Sequence, residues 1–219
     1  MTTQEIIDYM QSLVDDTLDS AFLLDLAKAA DEKIRSERDW EILKKLDTSK
    51  STAAGDTYTS TKALPTDFFA PSRYIFINRL PHRPIPFVER EAYRDTPRVY
   101  YIDYANAVFG ICGSQATAST ITFPYIYKPS DLTTSTSPVF PSDFHKLWAY
   151  EMASLYEAGI DADDTYFRMS AEQKLQARML WDRLISWDAR LKLHSMDHSA
   201  ASIDSSLDVN EPDTNLGNY

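Results

Sequence analysis

Apolar positions recur at helical spacing near both ends of this chain and alternate in its middle. Thr2 with Glu5 three residues later has the form of a capping box, in which hydroxyl and carboxylate each take an orphan backbone N–H at a helix start. Ile6, Ile7, Met10, Leu13 and Val14 then make one apolar stripe. Asp15, Asp16 and Asp19 interrupt it before a longer helix opens at Ser20. Leu23, Leu26, Ala27, Ala30 and Ile34 define its inner face, with Lys28, Glu32, Lys33, Arg35 and Glu37 opposite. Trp40, Leu43 and Leu46 prolong the apolar pattern, which predicts a helix ending before Thr48. Towards the other end, Ser142 is placed to cap a helix carrying Phe144, Leu147, Trp148, Met152, Leu155 and Tyr156 inward, with Gly159 as its stop. Ser170 opens a last helix along Leu175, Ala177, Leu180, Trp181, Leu184 and Leu191, with Arg178, Asp182 and Arg190 outward.

Between these ends the texture changes. Residues 49–61 are rich in Ser, Thr, Ala and Gly around Tyr58, a strand or extended-loop composition. A turn or short helical turn follows at Leu64-Pro65-Thr66-Asp67-Phe68. Residues 73–78 set Tyr74 and Phe76 on one face and Ile75 and Ile77 on the other, as in a strand buried on both sides. Pro81, Pro84 and Pro86 punctuate the next segment, and residues 87–93 suit a short helix. Residues 99–104 and 107–111 flank Ala105-Asn106 as a hairpin. Residues 120–127 form a further strand, and Pro124, lacking a ladder donor, puts it at a sheet edge or bulge. Pro138 to Pro141 closes this part. The expected fold is therefore α+β: an α-helical bundle built from both chain ends, residues 1–48 and 142–194, with an antiparallel β-sandwich or barrel-like subdomain inserted as residues 49–141.

Composition narrows the function classes. The 219 residues, 43% of them hydrophobic, suffice for one substantial core or a main domain with a smaller one appended. The formal charge of −11 disfavours tight sequence-independent binding to nucleic acid, which needs Lys and Arg to displace counterions. Residues 195–219 hold five Asp or Glu, no Lys or Arg and few apolar groups, a tail expected to be disordered unless bound. Cys112 is the only cysteine and sits in an apolar run, so neither an internal disulfide nor a cysteine-based zinc cluster is expected. The start of the chain has no signal-peptide pattern and no apolar run approaches a membrane span, which predicts a protein made and kept in a cytoplasm, or in something assembled there, with no membrane partner.

Candidate chemistry is sparse. Asp161, Asp163, Thr165 and Glu172 fall at positions 1, 3, 5 and 12 of a calcium-loop count, but Tyr166 stands where the sharp turn requires Gly. A polar inter-helix loop is the plainer reading. His194 and His198, four apart, suit a shared metal only with a third ligand, and none is near in sequence. His82 and His145 have no nucleophile or carboxylate at a catalytic spacing, so a hydrolase built on His145 with Asp161 or Asp163 has no pattern in its favour. Five glycines make no phosphate-binding loop. Arg79, His82, Arg83 and Arg90 form the densest basic stretch, more readily an ion-paired loop than a nucleic-acid contact. No catalytic, cofactor-binding or metal residue is expected, and the chain reads as a non-enzyme.

The aromatics carry more. Tyr100, Tyr101, Tyr104, Phe109, Tyr125 and Tyr127 concentrate in the β segment, and alternation places some on each face. They suit a core, a subunit contact or, as the alternative function, a ligand- or carbohydrate-binding platform of exposed tyrosines.

The order of the elements is itself distinctive. Leu64-Pro65-Thr66-Asp67-Phe68, Pro97-Arg98-Val99-Tyr100-Tyr101-Ile102, Tyr125-Ile126-Tyr127-Lys128-Pro129-Ser130-Asp131-Leu132 and Ser137-Pro138-Val139-Phe140-Pro141 precede a helix that begins Asp143-Phe144-His145, after an N-terminal helix pair with Trp40. Over residues 2–193 this resembles the head-to-tail adaptor (neck, connector or tubular-tail-gatekeeper-like) proteins of tailed bacteriophages. It departs from the pattern at Ile111-Cys112-Gly113-Ser114, where many relatives carry a Pro-x-Pro turn. The resemblance implies a structural virion protein in the neck, between capsid and tail, made in the bacterial host cytoplasm. It implies a homo-oligomeric ring, commonly of twelve copies, that joins the portal protein to tail or nozzle proteins. DNA would pass through the lumen without specific binding, and no catalytic centre is implied.

Overall fold

The computed structural model describes residues 1–14, 17–71, 74–159 and 167–204, with side chains through residue 193. Helix α1 spans Thr3–Val14 and α2 Ser20–Ser36. Strands β1 Lys44–Thr52, β2 Thr61–Ala63, β3 Phe68–Pro71, β4 Ile75–Ile77, β5 Leu80–Ile85, β6 Val99–Asp103, β7 Val108–Ile111 and β8 Ser119–Tyr127 follow, then α3 Lys146–Gly159 and α4 Ala171–Asp204. The chain is thus α+β.

The helix starts are built as their sequences dictate. Thr2 Oγ1 accepts from the Glu5 backbone N–H (3.2 Å) while the Glu5 carboxylate accepts from the Thr2 backbone N–H (2.9 Å). Asp19 caps α2 through the N–H groups of Ala21 and Phe22. A second capping box opens α4, where Ser170 Oγ accepts from the Gln173 N–H and the Gln173 side chain accepts from the Ser170 N–H. The start of α3 differs from expectation: Ser142 makes no side-chain cap, and a 3-10 turn, Ser142–Phe144, leads into the helix instead.

Helix α3 is the centre of the helical part. Every residue from Leu147 to Ala153 is buried, because α1, α2 and α4 all pack on it. Their shared core holds Ile6, Met10, Leu23, Ile34, Trp40, Leu147, Trp148 and Leu184, together with Leu132 and Phe140 from the segment after β8. The expected helix through Thr48 is not formed: α2 stops at Ser36, and residues 44–48 already belong to β1. The reason lies in Trp40. Its backbone is extended, and its indole N–H donates to the Ile34 carbonyl at 2.7 Å, closing one of the carbonyls that a helix end leaves open. Leu46, read as part of a helix stripe, sits on a strand and is exposed.

The eight strands form one sheet in the order β1-β8-β4-β5-β6-β7-β2, with β3 also paired to β8. The sheet is nearly closed around a second core, to which β4, β6, β7 and β8 contribute Ile75, Ile77, Tyr100, Ile102, Phe109, Ile111, Ile121 and Phe123. It is mixed rather than antiparallel, since β5 and β6 run parallel in the register Arg83↔Val99 to Ile85↔Tyr101. Residues 86–98 supply the long crossover that parallel pairing needs. The segment punctuated by Pro81, Pro84 and Pro86 is therefore largely strand β5, and the helix expected over 87–93 is reduced to a 3-10 turn, Phe87–Glu89.

The 99–111 hairpin forms, with a four-residue turn over 104–107 in place of the two-residue turn expected at Ala105-Asn106, held by Asp103, whose Oδ1 accepts from the Ala105 and Asn106 N–H groups. Strand β8 corrects the edge alternative, for it is the most heavily paired strand, with β1 along one side and β3 and β4 along the other, while its pairing with β1 is irregular next to Pro124, between Asp47↔Phe123 and Lys50↔Ile121. Pro124 falls between the residues paired with β4 (Ile121, Thr122) and those paired with β3 (Tyr125, Ile126, Tyr127), opposite the gap where the two short strands meet.

Candidate interaction surfaces

Three carboxylates buried in the helical part are each tied to another element. Asp31 of α2 accepts from the Trp148 indole of α3 (3.0 Å) and pairs with Arg35 (3.0 Å), which also reaches the Pro129 carbonyl. Burial raises the Asp31 pKa against the pull of Arg35 and the Trp148 hydrogen bond. Glu151 of α3 accepts from the Trp181 indole of α4 (2.6 Å) and pairs with Lys33 of α2 (2.5 Å). Asp188 of α4 accepts from the Glu41 backbone N–H (2.6 Å) and pairs with Arg38 (3.4 Å) and Lys192 (3.0 Å). Two of the partner cations, Lys33 and Arg35, lie on the last turns of α2, and Arg38 lies just beyond its end. Truncating one carboxylate would thus break a contact between elements.

The histidines are equally committed to structure. The His145 ring nitrogens lie 2.8 Å from the Met1 carbonyl and 2.7 Å from the Phe140 carbonyl, joining the chain start to the approach of α3. His82 is buried on β5 with Nδ1 3.0 Å from the Leu80 carbonyl, and burial lowers its pKa from the ordinary 6.5. Of the basic stretch, Arg79 is exposed in the turn between β4 and β5, while Arg83 and Arg90 lie over the rings of Tyr93 and Phe87. Asp161, Asp163, Thr165 and Tyr166 of the calcium count, and the His194 and His198 side chains, lie outside the described residues; Glu172 is exposed on the first turn of α4. Among the described residues, no group of three His, Cys, Asp or Glu side chains is placed to hold a metal ion, and no helix is long and apolar enough to cross a membrane.

The six aromatic candidates divide. Tyr100, Phe109 and Tyr125 are interior to the sheet core, and Tyr101 is buried in a neighbouring cluster with Ile85, Val99 and Cys112. Tyr101 passes over Gly110, its partner across the hairpin, and donates to the Tyr58 carbonyl at 2.5 Å. Burial pushes the Tyr100 hydroxyl up to about 12, and it has no hydrogen-bond partner among the described residues. Tyr125 is also pushed up to about 12, by burial and then by donating to Asp67 at 2.8 Å. Tyr127 is half-buried beneath the Lys45 ammonium, 3.9 Å from the ring centre. Beside it a groove of about 580 Å³ opens between α2 and the ends of β3 and β8, lined by Arg35, Arg38, Phe69 and Lys128 among others. Only Tyr104, 65% exposed at the hairpin turn, presents most of its ring to solvent. The six do not converge on one face.

What sequence reading missed lies on α4. Leu175, expected inward, is 56% exposed, and Met179 and Leu193 are 49% and 63% exposed. With Asp182, Ser186 and Ala189 they recur at i, i+4, i+7, i+11, i+14 and i+18, one stripe opposite the buried Leu184 and Asp188. Exposed Arg178, Arg183 and Arg190 flank it. The available signal was that α4 has apolar positions on two opposite faces, only one of which is covered by the described residues.

The helices packed on α3 and the nearly closed sheet do not by themselves name a function, and comparison with known families supplies the class: a bacteriophage adaptor, a component of the virion. The family is that of the SU10 adaptor protein, whose model matches residues 1–199, and the chain belongs to it. No curated protein matches the chain.

Proposed function

We propose that the chain is a non-catalytic head-to-tail adaptor, occupying the neck as a ring, commonly of twelve copies, that joins the portal protein to tail or nozzle proteins and lets the genome pass through its lumen. The single observation that carries this reading is the family match over residues 1–199, nearly the whole chain. The helices around α3 act as the bundle that forms the body of the ring, and the β part presents the docking ends. A closed ring needs a heterologous interface, two different patches of one chain meeting by rotation. The net charge of −11 fits a lumen through which DNA slides without being gripped.

Negative-stain imaging of the purified chain mixed with the portal protein of the phage that encodes it tests the proposal. A ring stacked coaxially on the portal is expected. Persistent failure to bind either the portal or a tail component would overturn it. The alternative of a carbohydrate platform has little surface to work with, since four of its six aromatics are buried; a glycan array is expected to show no binding.

A further inference from the structure

The outer stripe of α4 has no partner within the described chain. Leu175 to Leu193 covers about five turns, a strip roughly 27 Å long at 1.5 Å per residue. Its apolar positions are Leu175, Met179, Ala189 and Leu193, with Asp182 and Ser186 between them, and exposed apolar side chains set among polar ones are what a weak contact surface carries. Its flanks are basic (Arg178, Arg183 and Arg190) on a chain whose net charge is −11. On α2, which packs against α3 as α4 does, the outward positions at i, i+3, i+7 and i+10 are Phe22, Asp25, Ala29 and Glu32, all exposed. This second stripe carries an aromatic ring, a small residue able to receive a long side chain, and two carboxylates, of which Asp25 pairs with the neighbouring Lys28 at 3.4 Å.

We infer that the arginine-flanked outer face of α4 docks on the Phe22–Asp25–Ala29–Glu32 face of α2 in a second copy of this chain, and that this is the subunit contact of the ring. The inference rests on the ring proposed above and names its interface. Charge favours this occupant: the α4 face sets Arg178, Arg183 and Arg190 around one carboxylate, Asp182, while the α2 face carries Glu32 and Asp25, the latter paired with Lys28 at 3.4 Å, and α4 against α4 would set arginines against arginines. Because the two stripes are different surfaces, each copy keeps one of each free for the next neighbour, as a head-to-tail ring requires. The strip is narrow, on the order of 300 Å² at a helix-face width of about 10 Å, below the roughly 800 Å² per partner of a stable pair. Pairwise association through it is therefore weak, and closure of the ring adds the missing contacts.

Engineered thiols test this directly, since the native Cys112 is fully buried and can remain. Ala29→Cys and Met179→Cys are made in separate chains, mixed and oxidised, with native mass spectrometry recording the assembly state. The expected product is the mixed 29–179 disulfide, in excess over either homodimer. R183E/R190E in the Met179→Cys chain lowers its yield roughly tenfold, and D25K/E32K in the Ala29→Cys chain restores it. A dominant 179–179 product means two-fold pairing through α4 and overturns the inference. So does a Met179→Cys thiol that is unreactive in the monomer and becomes reactive when residues 205–219 are removed, since the chain's own tail then covers the stripe. A ring without 29–179 product places the contact elsewhere and overturns the inference while leaving the ring standing. A chain that stays monomeric, alone and with the portal, overturns both.

Discussion

Single residues decide how the sheet closes on its core. Gly110 faces Tyr101 across the hairpin, and a Cβ there would lie 2.3 Å from the Tyr101 ring, inside any tolerable contact. The ring cannot swing away freely, because its hydroxyl is bound to the Tyr58 carbonyl. Gly110→Ala is expected to destabilise the protein by about 1–3 kcal/mol, the range for overpacking, read as a lower urea midpoint. Tyr100 presents the opposite case, a phenol with no partner for its hydroxyl among the described residues. Tyr100→Phe removes that group without changing the ring, so unfolding is expected to show no loss, and a gain of up to about 1 kcal/mol. A loss of 2 kcal/mol or more would mean that the hydroxyl is satisfied after all. The concentration of tyrosines was legible in the sequence, but alternation alone does not say which face is inner. Partner strands decide that, and they buried Tyr100, Tyr101, Phe109 and Tyr125.

At the scale of elements, the carboxylates of Asp31, Glu151 and Asp188 hold the helices and the chain after α2 in mutual register. Asp188 is the clearest test, being fully buried while accepting from the Glu41 N–H at the point where α2's exit leads into β1. Asp188→Asn keeps the shape but loses the charge facing Arg38 and Lys192, and a cost of about 2–4 kcal/mol is expected in chemical unfolding. A change below 0.5 kcal/mol would show that the contact contributes little. Elements with local signals were legible from sequence: the capping box at Thr2, the start at Ser20, the 99–111 hairpin and the start at Ser170. Elements set by distant partners were not. The end of α2 is fixed by an indole reaching back to Ile34, β5 carries two prolines yet is held by β4 and β6, and Pro124 is tolerated on a central strand because β3 and β4 leave a gap opposite it. Leu175 fitted a helical period, but so did the opposite face of α4, and period alone cannot rank two apolar faces.

For the whole molecule, the order of the elements carried the resemblance to phage adaptors, and the family match over residues 1–199 establishes that membership. Candidate contact residues were less legible than the fold, because an assembly surface is defined by what the chain leaves uncovered, and that becomes visible only once the fold has used its other apolar positions. Tyr104 and the stripe of Leu175, Met179 and Leu193 remain outward after both cores are filled. The central claim is that these surfaces serve a ring that sits between portal and tail. Native mass spectrometry of the chain with its portal protein tests it most directly. The account predicts a complex holding a fixed, integral number of adaptor copies, twelve if the common stoichiometry applies. A mixture that retains only free adaptor monomers and unaltered portal, at concentrations up to the solubility limit, would contradict it.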